Sequence, residues 1–363
     1  MNLIFRRLDN NCDVPMQREL YLEAFPEQKG TALVTDEYYH WKFRDFPFRS
    51  PPPQQFVAVE EHQVVAYFAA LTYPYILSNN NCMSGIICDI MTHSRVRRRG
   101  VFGELGSIAL SEFPHEGIDL AMAFPIRPAS LSALNKLGLE TICHLPVWIL
   151  PISWRGLLRD FRIFGPAAKG ALEAYRHIVR PRILPGFTTE VLPHVSFFER
   201  ASQEPSLRGE FDSLVERWRA RLDFALQKDL KFYRWRLSAP GSKYFIHLLK
   251  TTVGGLAGLA VTRISDLKGI RSCAILDMMI PEQRFGAQVL LLDSVRAHAI
   301  KEHAELLATI VPKSAAQELH LTRYGFIRSP MVFKCVTRIF NSSFKVDLKR
   351  ISHQMMWIDS DDL

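Results

Sequence analysis

The sequence predicts an α/β protein, built from two similar mixed-sheet domains in tandem with helices on both faces of each sheet. Three observations predict this class. The 363 residues are enough for about two domains of ordinary size. Short β-branched runs bounded by Pro, Gly and Asn alternate along the chain with stretches whose apolar residues have helical spacing. The same sequence anchors also occur twice in the same order, which indicates an internal duplication.

Each half contains a Tyr-x-Trp motif, then an Asp near the end of an apolar strand, then a Gly after a helix. The Asp and the Gly are 49 residues apart in the first half and 48 in the second. The paired positions are Tyr39 and Tyr233, Trp41 and Trp235, Asp89 and Asp277, and Gly138 and Gly325. We expect the aromatic residues to pack in the core. The alternative for Tyr39 and Trp41 is a role in lining an acceptor pocket.

Each unit is predicted to run helix, strand, strand, strand, helix, strand, helix, strand. The predicted strands are 56–59, 64–70, 87–91 and 120–124 in the first unit, and 244–249, 255–261, 275–279 and 306–310 in the second. The predicted divisions are a first domain at 1–150, a basic linker at 151–194, a second domain at 195–340 and a C-terminal tail at 341–363. We expect the tail to fray. The alternative is that it folds back over a cleft and brings its carboxylates to an amine site.

The charge of the chain limits the classes of partner that we expect it to bind. The net charge is +8, and residues 155–182 alone carry +5. An excess of this kind suits nucleic acid, an anionic membrane or an anionic small molecule. No recognition-helix or base-stacking motif accompanies the charge, so we expect no nucleic-acid partner. A membrane surface stays open through residues 154–182, where apolar positions share one helical face flanked by arginines. The alternative is that this face packs between the domains.

Targeting and cysteine signals predict the compartment. The N-terminal residues are interrupted by charge before any apolar stretch of signal-peptide length, and no run reaches the ~18 apolar residues of a spanning helix. The six cysteines are scattered, without C-x-x-C pairs or metal-spaced histidines. That pattern suits thiols in a reducing compartment. The sequence therefore predicts a cytoplasmic protein with no metal site, and it leaves the oligomeric state open.

One stretch carries the strongest chemical signal, and it runs from the strand end at Asp89 to Leu105. A basic loop containing Gly100 lies between the strand and a helix that begins near Val101. Backbone N–H groups at such a helix start converge on one point, and arginine side chains pair with phosphate oxygens. Glycine permits close backbone approach. The pattern predicts a pyrophosphate site, and a solvated arginine-rich turn is the alternative.

The loop resembles the R/Q-x-x-G-x-G/A pyrophosphate loop of GNAT-superfamily acyltransferases, with residues 97–102 in its six positions. Residues 124–130 and 135–139 resemble the motif that follows it in that superfamily. The resemblance implies a tandem-GNAT protein with an intact first domain and a degenerate second domain, using acetyl-CoA or another acyl-CoA as co-substrate. The cofactor-binding residues that it implies are Met91, Thr92, Arg97, Arg98, Arg99, Gly100, Val101, Phe102, Gly103 and Ser130.

Some residues depart from the family pattern. Phe102 occupies a position that the pattern gives to Gly or Ala, and its side chain would have to turn into the helix. Leu134 replaces the aromatic residue that in many members is a tyrosine acting as general acid, so no acid is identified. The second domain lacks the loop, and Glu282 stands where phosphate would approach. We expect that domain to serve architecture or to shape the acceptor pocket.

The catalytic base is not fixed by the sequence. Asp89 and Glu60 are the candidates, together with the carboxylates of the C-terminal tail. Because Asp277 occupies the position of Asp89 in a domain expected to bind no CoA, a structural role for Asp89 is favoured over a catalytic one. The implied reaction is acyl transfer, acetyl in the simplest case, from acyl-CoA to a primary amine of a small molecule, such as an amino sugar or an aminoglycoside, within a ternary complex. The competing reading is a non-enzymatic or membrane-peripheral protein with a vestigial CoA fold.

Overall fold

A computed structural model describes residues 3–152, 185–282 and 285–360. Its strands are β1 (Ile4–Arg7), β2 (Gln54–Glu60), β3 (Gln63–Leu77), β4 (Asn80–Thr92), β5 (Leu120–Ala123), β6 (Glu140–Pro151), β7 (Phe187–Pro193), β8 (Phe224–Leu226), β9 (Tyr244–Thr251), β10 (Leu256–Leu267), β11 (Ile270–Met279), β12 (Leu306–Ile310) and β13 (Ile327–Ile339). Its helices are α1 (Asp13–Ala24), α2 (Asp36–Tyr39), α3 (Val101–Glu112), α4 (Pro128–Lys136), α5 (His194–Gln203), α6 (Pro205–Arg219), α7 (Leu230–Arg236), α8 (Phe285–Lys301), α9 (Lys313–Glu318) and α10 (Leu321–Tyr324).

The strands form one continuous mixed sheet in the order β1-β2-β3-β4-β5-β13-β6-β12-β11-β10-β9-β7, with β8 paired to β3. Pairing is antiparallel except for β4 with β5 and β11 with β12. The two repeats have the same internal order, which confirms the predicted α/β fold with two similar halves. Each repeat ends in a strand that lies in the other half, since β13 pairs with β5 and β6 pairs with β12. The predicted boundary at residue 150 therefore does not divide the sheet.

The repeated tryptophans form a reciprocal contact between the halves. The rings of Trp41 and Trp235 stack with their centroids 4.9 Å apart and their planes 10° from parallel. Each indole Nε1 donates to the backbone oxygen of the other residue, at 2.8 Å in both directions. Both side chains are buried. The expected core role of the Tyr-x-Trp motif is confirmed, and the pair joins the repeats at equivalent positions.

Side chains alternate between the two faces of the sheet and define two layers of helices. One face forms a single apolar core under α1, α2 and α5 to α7. The other face carries two cores, one under α3 and α4 and one under α8 and α9. Helices therefore cover both faces, as predicted. No helix in the described part of the chain is long and apolar enough to cross a membrane.

The end of the described chain departs from the prediction of a frayed tail. Met355, Met356 and Ile358 are buried in the core, and the Asp359 side chain is buried as well. The alternative prediction, that the tail folds back onto the domains, therefore describes residues up to 360. The predicted membrane-facing segment, residues 154–182, lies outside the described residues.

Candidate functional site

The first repeat contains a cleft where β4 and β5 separate. The two strands pair only over Ser84–Ile86 and Leu120–Met122, and β4 continues to Thr92 beyond that point. A cavity of about 270 Å³ lies at the separation. Its lining includes Ile87, Cys88, Asp89 and Ile90 from β4, Ala123, Phe124, Pro125 and Ile126 after β5, and Ser130 and Leu134 from α4. The predicted site residues Asp89 and Ser130 are thereby brought to one cavity.

A β-bulge in β4 forms one wall of this cleft. Cys88 pairs with Ala69 and Met91 pairs with Tyr67, so two residues of β4 lie opposite a single residue of β3. Asp89, one of the two, has a φ of 47° in the left-handed region. A non-glycine residue in this region is strained unless its surroundings hold it. The bulge turns the Asp89 side chain toward the cavity and ends the regular pairing of the strand.

The Asp89 carboxylate is held by a buried lysine. Lys42 Nζ donates to Asp89 Oδ1 at 2.9 Å, and the two side chains are 4% and 13% exposed. Lys42 follows the Tyr-x-Trp motif in a π-helical turn over His40–Arg44. A charge pair this buried needs both partners, because either one alone would be an uncompensated charge away from water. The pair therefore fixes the bulge to the helical layer above it.

The basic loop lies between β4 and α3, as predicted. Gly100 has a φ of 81° and caps the helix, which begins at Val101. Arg97 Nε donates to the Thr92 carbonyl at 3.0 Å, which ties the loop to the end of β4. Arg97, Arg98 and Arg99 are all exposed. The first amides of α3 have no partner within the helix, so positive charge and N–H donors occur together here.

Phe102 is accommodated as expected for its unusual position. Its ring lies against the core under α3, with its centroid 6.3 Å from that of Phe68 on β3. Gly103 is exposed, and a Cβ there would have no neighbour within 4 Å. The aromatic side chain therefore points into the protein and leaves the outer surface of the loop to the backbone and the arginines.

Arg127, directly before α4, contacts residues on the opposite side of the cleft opening. Its guanidinium pairs with Glu27 at 2.9 Å and stacks over the ring of Phe25, 4.9 Å from the centroid. Tyr21 and Tyr38 line the cavity beside them. The region after α1 is therefore attached to α4 across the opening, which places aromatic rings next to the β4 bulge.

Glu60 does not lie with the other predicted residues. It is at the end of β2 and is not part of the cavity lining. Its carboxylate lies 3.6 Å from Arg95 Nε, and the Glu60 side chain is 11% exposed. An acid outside the cleft that pairs with a neighbouring arginine is poorly placed to receive a proton from a substrate. The structure therefore does not bring Glu60 together with Asp89 and Ser130, and its role as a base stays a prediction.

In the second repeat, the residue equivalent to Asp89 has a different environment. Asp277 is fully buried and accepts hydrogen bonds from Lys228 Nζ at 3.0 Å and from the Tyr233 hydroxyl. Burial raises the pKa of Tyr233 well above its usual range, so the hydroxyl keeps its proton and donates it. Lys228 also contacts Asp359 of the C-terminal segment at 3.0 Å. Burial raises the pKa of Asp359 to about 6.

These contacts show what sequence reasoning missed. Lys42 was not predicted as a site residue, although it directly follows the Tyr-x-Trp motif and its counterpart Arg236 keeps a cation at the same position of the second repeat. That repeated cation is a usable signal. Lys228 and Asp359 had no such signal, because 131 residues separate them. Among the described residues, no group of three metal-ligating side chains lies together.

The comparisons with known proteins agree with this geometry. Residues 11–140 match the family model described as Acetyltransferase (GNAT) domain. Over these residues the first repeat is similar to acetyltransferase domains of the GNAT family, which transfer an acyl group from acyl-CoA to an amine. No curated protein matches the sequence.

Solved structures extend the likeness of fold to the whole chain. A GCN5-related N-acetyltransferase from Anabaena variabilis is 12% identical with a TM-score of 0.64, over 94% of this chain and 73% of that one. A tandem GNAT protein from the clavulanic acid biosynthesis pathway is 15% identical with a TM-score of 0.59, over 93% and 98%. Saccharomyces cerevisiae N-myristoyltransferase, with bound myristoyl-CoA, is 12% identical with a TM-score of 0.60, over 97% and 84%. At these identities the likeness establishes the tandem-GNAT fold.

Proposed function

We propose that this protein transfers an acyl group, acetyl in the simplest case, from acyl-CoA to a primary amine of a small molecule. The observation that carries the proposal is the cleft between β4 and β5 with the arginine loop at its end. The family match of the first repeat supports acyl transfer. A bound acyl-CoA would supply the activated thioester carbonyl, and the chain would supply position and charge.

The residues of the cleft fit a CoA thioester in shape and charge. The unpaired end of β4, Met91–Thr92, offers backbone groups that a pantetheine amide could pair with as a strand does. The loop from Arg97 to Gly103 offers arginines and helix-start amides for the pyrophosphate. Ser130 lies on the opposite wall, on α4. The second repeat offers no comparable cation cluster among its described residues.

We assign Asp89 to positioning and not to proton removal. Its Oδ1 accepts a hydrogen bond from Lys42, and its Asp277 counterpart is used structurally in the second repeat. The bulge that Asp89 stabilises sets the direction of the β4 amides next to the cavity. Backbone donors held in a fixed direction are the usual means by which a protein stabilises a developing oxyanion.

Charge reversal in the loop tests the proposal. We expect Arg97→Glu with Arg99→Glu to weaken acetyl-CoA binding by at least about a hundredfold, because two charge-assisted contacts become repulsive. The matched control is Arg208→Glu with Arg328→Glu, which changes the net charge equally at two exposed positions outside the loop. Calorimetric titration of the full chain gives the affinities. Equal affinity in the folded loop variant and the control would refute the assignment.

A further inference from the structure

A second cavity lies between the two repeats and shares a wall with the cleft. Its volume is about 310 Å³. Phe124 and Ile126 line both cavities. The remaining walls are mostly apolar and come from both halves of the sheet, with Leu145, Leu276 and Phe333 among them. Small-molecule sites in proteins have this character, apolar walls with a few polar groups.

The walls of the second cavity include core residues from the face of the sheet opposite the arginine loop. Leu145, Leu276 and Ile310 belong to the core under α1 and α2. Val101 and Leu105, at the start of α3, belong to the core on the other face. The two partners of a direct transfer reaction must meet at one point from different directions. The cavity therefore lies where an acceptor would approach a thioester whose pyrophosphate is held by the loop.

Among the described residues that line this cavity there is one cation. Arg263 on β10 is half-buried, and its guanidinium carbon lies 6.0 Å from the ring centroid of Tyr244. In the part of the chain that the structure describes, no carboxylate lies within ion-pair distance of it. Asp266 also lines the cavity, but its Oδ1 accepts the backbone N–H of Gly269 in the turn between β10 and β11. A guanidinium is well suited to bind a carboxylate or a similar anion.

The C-terminal segment forms one wall of the second cavity. Met356, Trp357 and Ser360 line it. The segment is fastened by Asp359, which contacts Lys228 at 3.0 Å and accepts the Met356 N–H at 2.6 Å. Lys228 also binds Asp277, the counterpart of Asp89 in the second repeat. Asp277 therefore helps to hold the C-terminal segment that lines this cavity. A buried ion cluster of this kind holds its elements in one arrangement.

We propose that this cavity is the acceptor subsite, and that the acceptor is an amphiphilic primary amine with an apolar body and an anionic group bound by Arg263. The inference rests on the proposed acyl-transfer function, because it assigns the second substrate of that reaction. The apolar walls bind the body, and the guanidinium selects an anionic acceptor over a neutral or cationic one. Polycationic acceptors such as aminoglycosides are disfavoured by the same charge.

Two amines of equal length test the assignment directly. Octylamine and 8-aminooctanoate differ in the carboxylate alone, and each is titrated calorimetrically into the full chain loaded with CoA. We expect 8-aminooctanoate to bind at least about tenfold more tightly, the value of one charge-assisted contact. Arg263→Met should remove this preference, and Ala274→Leu, which fills the cavity, should weaken both amines. Arg328→Met, an exposed arginine outside the cavity, is the matched control and should behave as the wild type.

The outcomes distinguish failure of the acceptor-subsite assignment from failure of the proposed acyl-transfer function. A chain that binds CoA but shows no preference between the amines, or keeps the preference in Arg263→Met, overturns the subsite and leaves acyl transfer standing. A chain that binds CoA and neither amine also overturns it. Failure of the wild-type chain to bind CoA contradicts the proposed function itself, whatever the amines do. Loss of preference in Arg263→Met with CoA affinity unchanged supports the assignment.

Discussion

Replacing Asp89 with Asn is expected to cost stability more than turnover. The substitution removes the carboxylate that lies 2.9 Å from the Lys42 ammonium, which is only 4% exposed. Breaking a buried pair in this way costs about 3–5 kcal/mol. With an unfolding entropy of roughly 2.1 cal/mol/K per residue, a chain of 363 residues loses about 4–7 °C in Tm for this free energy.

The assay combines thermal unfolding with CoA release per folded molecule, using one acyl-CoA and one amine throughout. The exposed pair of Lys349 and Glu140, 3.0 Å apart, provides a matched control. Glu140→Gln should change the free energy of unfolding by less than about 1 kcal/mol. The double variant Lys42→Met with Asp89→Asn should be more stable than Asp89→Asn alone, because it removes the buried ammonium together with the carboxylate.

Two results would refute this reasoning. A loss of turnover above about a hundredfold with an unchanged Tm is the size expected for losing a general base, and it would make Asp89 catalytic. A double variant no more stable than the single one would show that the ion pair does not fix the bulge.

Three further predictions concern the second repeat and the sheet. Burial lowers the pKa of His247 to about 3, so below pH 6.5 the unfolded chain binds a proton that the folded chain does not. The free energy of unfolding should therefore fall by about 1.4 kcal/mol per pH unit from this group as the pH drops. In urea unfolding between pH 7 and 5, His247→Gln should show a shallower slope of this free energy against pH. Parallel slopes for the variant and the wild type would contradict this. Lys228→Met should destabilise the chain by about 3–5 kcal/mol and speed proteolysis of the C-terminal segment, whereas unchanged proteolysis would show that the segment is held by other contacts. Gly85→Ala should lower the Tm, because the new Cβ would lie 2.7 Å from an atom of the Phe113 ring; a wild-type Tm would show that the ring yields freely.

The internal duplication and the arginine loop could be predicted from the sequence, because both give local signals. Apolar periodicity and the repeated Asp and Gly anchors are local signals, and they report which elements exist. They do not report which strands pair. The exchange of β6 and β13 between the halves therefore could not be predicted, and neither could the edge strand Ile4–Arg7, which is half basic.

The contacts of the candidate site show the same limit. The loop at Gly100 was predictable because one short segment supplies both the glycine and the arginines. The partner of Asp89 lies 47 residues earlier in the chain, and one partner of Lys228, Asp359, lies 131 residues later. Such pairs become visible only when the sheet brings their elements together.

We propose that the first repeat binds one acyl-CoA and that the second repeat binds none. In the second repeat, Asp277 occupies the position of Asp89 and is fully buried and bonded to Lys228. Calorimetric titration of the full chain with acetyl-CoA tests the claim most directly. We predict a stoichiometry of one per chain, abolished by Arg97→Glu with Arg99→Glu. A stoichiometry of two, or one site that survives this double substitution, would contradict the account.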